Sequence, residues 1–215
     1  VFAPYKSRQK EIGFKWQGQQ LGATVALYTT DMPSAYVANQ VFGQYGKQRN
    51  SGLEATVFGE PVKGLRVLGG VTFSEAKIRE AADATTIGNY AIGVPKRLLN
   101  LGVDWDVPGV SGLALNARVM HTSSQYANGA NTLKVASWTR TDIGARYLMD
   151  IGNNRLLTVR ARIDNLFDKG YWSSVGGYPG ANYLVQSMPR TFSLSASVDF
   201  LSLIHISEPT RPERI

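Results

Sequence analysis

The sequence predicts an all-β fold: an antiparallel transmembrane β-barrel, incomplete in this chain. Three observations predict it. Apolar and polar residues alternate with period 2 in segment after segment, short turns and long links follow one another strictly, and the segments number about nine, an odd count. With 43% of residues hydrophobic and 18% charged, the chain is too apolar and too weakly charged for disorder. No apolar run approaches the ~20 residues that a membrane-spanning helix needs, whereas barrel strands need only ~9–11 alternating residues.

Taken in chain order, the first apolar faces are Ile12, Phe14 and Trp16, then Leu21, Ala23, Val25 and Leu27, then Leu53, Ala55 and Val57. Leu65, Val67, Val71 and Phe73 follow. Next, Leu99, Leu101, Val103 and Trp105 stand opposite Asn100, Gly102, Asp104 and Asp106. Leu113, Leu115, Ala117 and Val119 stand opposite Asn116 and Arg118. A weaker strand carries Ile143, Ala145, Tyr147 and Met149. The last two are the clearest. Leu157, Val159, Ala161 and Ile163 oppose Thr158, Arg160, Arg162 and Asp164; Phe192, Leu194, Ala196, Val198 and Phe200 oppose three serines and Asp199. Each pattern gives a strand one apolar and one polar face, and no segment reads as a helix.

Gly, Pro and Asn place tight turns at 18–20, 59–64, 108–112 and 152–154. Between them run long links at 30–46, 77–95, 126–136 and 167–189. A soluble sandwich has no reason to gather every long connection at one end. Outer-membrane barrels have short periplasmic turns and long extracellular loops, so the predicted location is the bacterial outer membrane. Single-chain bacterial barrels have even strand numbers, and an odd count in a chain that starts inside a strand pattern predicts the end of a larger barrel.

The net charge of +7 comes from singly scattered Lys and Arg, without a basic run or nucleic-acid motif, so no nucleic-acid partner is expected. Cysteine is absent, which excludes disulfides, thiolate metal sites and a cysteine nucleophile. His121 and His205 are the only histidines, too few for a histidine metal site or a triad. Asp164 and Asp168 flank an Asn-Leu-Phe turn and read as turn capping and lumen pairing rather than an acid–base pair. The segment 43–47 lacks P-loop spacing. No enzyme, no cofactor and no protein metal ligand is therefore expected.

Three segments together resemble the C-terminal region of TonB-dependent outer-membrane receptors, most closely the siderophore receptors. PYKSRQKEIGFKW (4–16) resembles a family strand with Glu11, Gly13 and Lys15 at matching positions. NLFDKGYW (165–172) is similar to the penultimate-strand signature, and MPRTFSLSASVDF (188–200) to the closing strand. Between them, 46–73 resembles a mid-barrel hairpin. The resemblance implies a barrel of about 22 strands around an N-terminal plug, and energised import of a ferric siderophore. The partners implied are the ferric siderophore, TonB through the plug, outer-membrane lipid and lipopolysaccharide, and the barrel-assembly machinery. That machinery is expected to read Phe192, Leu194, Ala196, Val198 and Phe200 in the closing strand. Residues 1–200 are the expected barrel portion. The tail LSLIHISEPTRPERI (201–215) breaks the pattern with two prolines and is expected to be non-native.

An organic chelate asks for side chains with an apolar face and a polar tip, so the loop aromatics Tyr90, Tyr126, Trp172 and Tyr178 are the expected ligand contacts. A porin or autotransporter-type barrel is the alternative, an outer-membrane enzyme a weaker one, and a soluble β-sandwich the weakest.

Overall fold

A computed structural model describes residues 4–153, 155–178 and 181–200. The 201–215 tail lies outside them. The strands are β1 (Arg8–Gln17), β2 (Leu21–Ala38), β3 (Val41–Val62), β4 (Leu65–Glu80), β5 (Arg97–Asp106) and β6 (Leu113–Thr122). After two short strands, β7 (Gln125–Tyr126) and β8 (Lys134–Val135), come β9 (Trp138–Asp150), β10 (Arg155–Asp164), β11 (Trp172–Tyr178), β12 (Ala181–Gln186) and β13 (Thr191–Phe200). Among the described residues the one helical element is a 3-10 turn, Ala84–Thr86.

Nine strands form one antiparallel sheet in the order β1-β2-β3-β4-β5-β6-β9-β10-β13, with β11-β12 and β7-β8 as separate hairpins. The edges β1 and β13 do not pair with each other, so the sheet is open. β1, β5, β6, β10 and β13 are each 10 residues long, the length a tilted strand needs to cross a bilayer.

Register makes nine apolar faces into one. Phe14 lies opposite Val25, Val25 opposite Ala55, Ala55 opposite Val71 and Val71 opposite Leu99. Further along, Leu65, Trp105, Leu115, Ala145, Ala161 and Leu194 form another unbroken row. A slip of one residue at any pair would turn a strand inside out, so the rows fix the register.

This face covers nothing. Leu194 is 79% exposed, Ile12 75%, Phe192 71% and Phe14 68%, while the buried apolar residues among those described are only Ala76, Ala91, Ala114 and Val135. A sandwich would bury such a face beneath a second sheet.

The opposite face is charged and internally paired. Arg66 bonds Asp104 and Asp106 on β5, and Arg146 on β9 reaches the same two carboxylates at 3.6 and 3.8 Å. Higher up, Arg140 and Arg162 share Asp142 and Asp164, with N–O distances of 2.6 to 3.5 Å. These are side chains of a wet interior, paired across neighbouring strands.

The tight turns fall where expected, the last as far as residue 153, but all four long links contain strand residues: β4 runs on to Glu80, four residues into 77–95. Segment 30–46 is not a loop: β2 and β3 continue as a ladder to Ala38↔Val41, well past the start of β1 opposite Asp31 and the end of β4 opposite Lys47. They close through Asn39 and Gln40, at φ 49 and 63, a two-residue turn of the kind that matches strand twist. Glutamine tolerates that conformation poorly. Gln40→Gly is expected to relieve about 1 kcal/mol and to slow amide exchange across the hairpin. Unchanged exchange would argue against the left-handed turn. Segment 126–136 holds β8 and the end of the β7-β8 hairpin, and 167–189 the β11-β12 hairpin.

Candidate functional site

All the long connections emerge at one end of the sheet, and three of them meet. Segment 81–96, between β4 and β5, docks on segment 123–137, between β6 and β9. Asn131 is the clasp: its side-chain oxygen accepts from the Tyr90 N–H at 2.7 Å, and its amide donates to the Tyr90 carbonyl at 2.9 Å. Asn131 itself sits at φ 59, a conformation asparagine accepts more readily than most residues. Asn89 adds a bond to the Gly129 carbonyl at 2.9 Å, and the Gly93 N–H donates to the Tyr126 carbonyl at 3.0 Å. Gly93 also touches the third connection. At φ +71, its missing Cβ would lie 2.5 Å from the Val175 carbonyl oxygen on β11, so both the backbone angle and the space require glycine.

The loop base is anchored equally firmly. At the first loop, the Asp83 carboxylate accepts from the Thr85 N–H at 2.9 Å and hydroxyl at 2.6 Å. The hydroxyl and then the backbone bond hold Asp83 below the usual carboxylate range. At the far end of β10, Asn165 is 2% exposed and at φ 54; its side chain bonds Lys169 twice, at 3.0 and 3.1 Å, and the Met188 carbonyl at 3.1 Å. Asp168, at φ 50, accepts from the Arg190 N–H at 2.8 Å. The Asn-Leu-Phe-Asp turn thus joins β10 to the start of β13, and Asp164 pairs with Arg140 and Arg162. Neither carboxylate is placed for acid–base chemistry.

Of the four expected contact residues, the structure brings two together. Tyr90 and Tyr126 stack with centroids 5.8 Å apart at 17°. The Lys96 ammonium stands 3.8 Å from the Tyr90 centroid and Lys77 5.4 Å from it, so Tyr90 is heavily engaged within the protein. Trp172 is 45% exposed and lines a different cleft of about 360 Å³, with Val135, Ser137, Tyr171 and Gln186. Tyr178 ends β11, its backbone paired with Ala181; its side chain lies outside the described residues. Sequence reading overlooked Trp138. It stacks on Tyr171 at 4.4 Å and 20°, beside the same cleft, and its indole N–H is buried without a partner among the described residues. Its place at the loop end of β9, next to Ser137, was the available signal. No group of three metal-ligating side chains occurs among the described residues.

Known proteins share this arrangement. The sequence matches the family described as TonB dependent receptor-like, beta-barrel, over residues 1–166. It is 44% identical over 196 residues to the ferrichrome receptor FcuA of Yersinia enterocolitica, covering 90% of this chain and 26% of that protein. It is 31% identical over 212 residues to the catecholate siderophore receptor Fiu of Escherichia coli K12, covering 93% of this chain and 26% of that protein. The chain thus spans about a quarter of the length of these curated relatives. Among solved structures, BauA, the ferric preacinetobactin receptor from Acinetobacter baumannii, superposes with a TM-score of 0.81 at 34% identity, over 93% of this chain and 30% of that one. One apolar face turned to lipid, a charged interior and loops gathered at one end are what such a barrel requires. With the family match covering most of its length, the chain belongs to the TonB-dependent receptor β-barrels of the bacterial outer membrane.

Proposed function

We infer that residues 1–200 are the C-terminal barrel portion of a receptor that imports a ferric siderophore, energised through a plug and TonB. The observation that carries this reading is the 44% identity to a ferrichrome receptor across 90% of the chain. The iron arrives inside its chelate, so the protein's task is to hold an organic ligand, and no enzymatic step is needed. The clasped loops offer a preorganised rim for that task. Tyr126, Trp172 and Tyr178 are the proposed contact residues, with Tyr90 contributing at its polar edge and supporting Tyr126. On β13, Phe192, Leu194, Ala196, Val198 and Phe200 are the proposed assembly signal. Of these, Phe192, Leu194 and Val198 are exposed on the lipid side, where a membrane-bound assembly factor has access.

The test uses the full-length gene in a Gram-negative strain stripped of its own siderophore receptors. Uptake of radiolabelled iron from ferric siderophores, ferrichrome among them, is expected, and it should vanish without TonB. Uptake that persists without TonB, or none from any ferric siderophore, would overturn the reading. Trp172→Ala is expected to weaken siderophore binding by roughly tenfold, while the receptor keeps its folded mobility on cold gels.

A further inference from the structure

The sequence contains one Asn-Gly pair, Asn128–Gly129, and it lies in the connection that carries the clasp. An asparagine side-chain amide is open to attack by the next backbone nitrogen, most readily where that residue is glycine, because no Cβ shields the nitrogen. The loop supplies each group that this chemistry uses. The Gly129 N–H has no hydrogen-bond partner among the described residues. A Cβ built on Gly129 would meet only the Thr86 methyl, at 3.7 Å, so the approach to its nitrogen is open. The Asn128 side-chain carbonyl accepts from the Thr132 and Leu133 N–H groups, at 3.1 and 3.0 Å. Two backbone N–H groups on one carbonyl oxygen stabilise the oxyanion that forms when a nucleophile adds. The side-chain nitrogen donates to the Thr132 hydroxyl at 2.7 Å, so a hydroxyl stands beside the nitrogen that leaves. Asn50 offers the contrast. It precedes Ser51 inside β3, where Ser51 is paired on both sides, with Thr29 and Glu75.

We propose that Asn128 is a site of spontaneous covalent modification that opens the clasp. The Gly129 nitrogen bonds to the Asn128 side-chain carbonyl carbon and the bond from that carbon to Nδ2 breaks. Nδ2 departs as ammonia, taking the Gly129 amide proton, and a five-membered imide remains. Solvent water then opens the ring, its hydroxyl going to one carbonyl carbon and its proton to the ring nitrogen. Opening at the side-chain carbonyl gives aspartate. Opening at the main-chain carbonyl gives isoaspartate, in which the chain runs through the former side chain.

The second product is the one that unlatches the loops. The Asn128 main-chain carbonyl accepts from the Asn131 N–H at 3.1 Å and from the Asn131 side chain at 3.2 Å. In isoaspartate that carbonyl leaves the chain as a pendant carboxylate, and the path to Gly129 gains a methylene. Asn131 loses the turn that aims it at the Tyr90 N–H and carbonyl. The Gly129 carbonyl also moves away from the Asn89 amide, which now bonds it at 2.9 Å. The chemistry depends on the fold of this loop alone and stands apart from what the receptor carries.

The experiment ages the full-length receptor, in detergent, in water enriched in heavy oxygen, and peptide mass spectrometry locates the oxygen taken up. Asn128 is expected to convert at least as fast as in the free peptide 125–134, which lacks the fixed N–H donors, and to give both isomers. Asn50 should remain an amide. Gly129→Ala places a methyl over the nucleophile at a position that does not need a left-handed backbone, and it is expected to slow conversion roughly tenfold. Hydrogen exchange at the Tyr90 N–H reads the clasp. It should quicken in the wild type as the converted fraction grows, and stay slow in Gly129→Ala aged for the same time. Slower conversion in the receptor than in the peptide would overturn the proposal, because the fold would then protect the amide. Equal conversion at Asn50 would overturn it as well, as would complete conversion to isoaspartate with Tyr90 exchange unchanged.

Discussion

Replacing Leu101 by arginine is expected to destabilise the full-length receptor in lipid vesicles by about 2–4 kcal/mol, whereas Leu65→Arg should cost only about 0–1 kcal/mol. Both residues sit on the apolar face, Leu101 between Gly69 and Val119, and Leu65 beside Trp105. They differ in depth. Leu101 lies halfway along β5, four residues from either Arg97 or Trp105, and so at the middle of the hydrocarbon. Leu65 begins β4 at the turn end, where a guanidinium reaches water. Leu101 is already 44% exposed in the isolated chain, so a packing clash does not account for the difference. Denaturant titration in vesicles measures both variants. Equal costs would mean that the face meets another protein layer rather than lipid.

That depth dependence also explains what was legible in the sequence. Alternation marks a strand only where one side meets lipid and the other meets water. β5, β6, β10 and β13 satisfy this along their whole length, and their apolar positions read correctly from Leu99 to Val198. The upper half of the β2-β3 hairpin does not. Above the bilayer both faces are wet, so Pro33, Ser34, Gly43 and Gly46 were free to accumulate, and the ladder read as a loop. β11, with Ser173, Ser174, Gly176 and Gly177, hid for the same reason.

The loop site was legible only as composition. Tyr90 and Tyr126 were identifiable as aromatics, but their stacking depends on Asn131, 41 residues along the chain from Tyr90, and nothing local announces that clasp. The Asn-Leu-Phe-Asp turn read correctly as capping because asparagine and aspartate at positive φ are a local matter. Arg140 and Asp142 were missed although their signal was present: two charges at i and i+2, on the face opposite Ile143.

Asp142→Ala is expected to have the largest effect of any interior substitution, roughly 3–5 kcal/mol. Asp142 is 3% exposed and ties three elements together. It accepts from Arg140 at 2.7 and 3.0 Å and from the Asn165 N–H at 2.8 Å, and it pairs with Arg162 at 3.5 Å. Alanine leaves Arg140 and Arg162 competing for Asp164 alone, and leaves the Asn165 N–H buried without an acceptor. The turn that leads toward β13 loses one of its ties to β9 and keeps the bond from the Leu166 N–H to the Thr141 carbonyl at 2.8 Å. Asp142→Asn keeps an acceptor for that N–H but removes the charge, so it should fall between wild type and alanine. Denaturant titration of the full-length receptor orders the three. A cost under about 1 kcal/mol for alanine would mean that the cluster is solvated and its bonds exchange freely with water. Deleting Arg140 together with Asp142 should then distinguish pairing from turn anchoring. Arg162 still neutralises Asp164 in the double variant, so the charge imbalance disappears. What remains of the loss belongs to the Asn165 N–H, and the double variant should be more stable than Asp142→Ala by the share that charge pairing supplied.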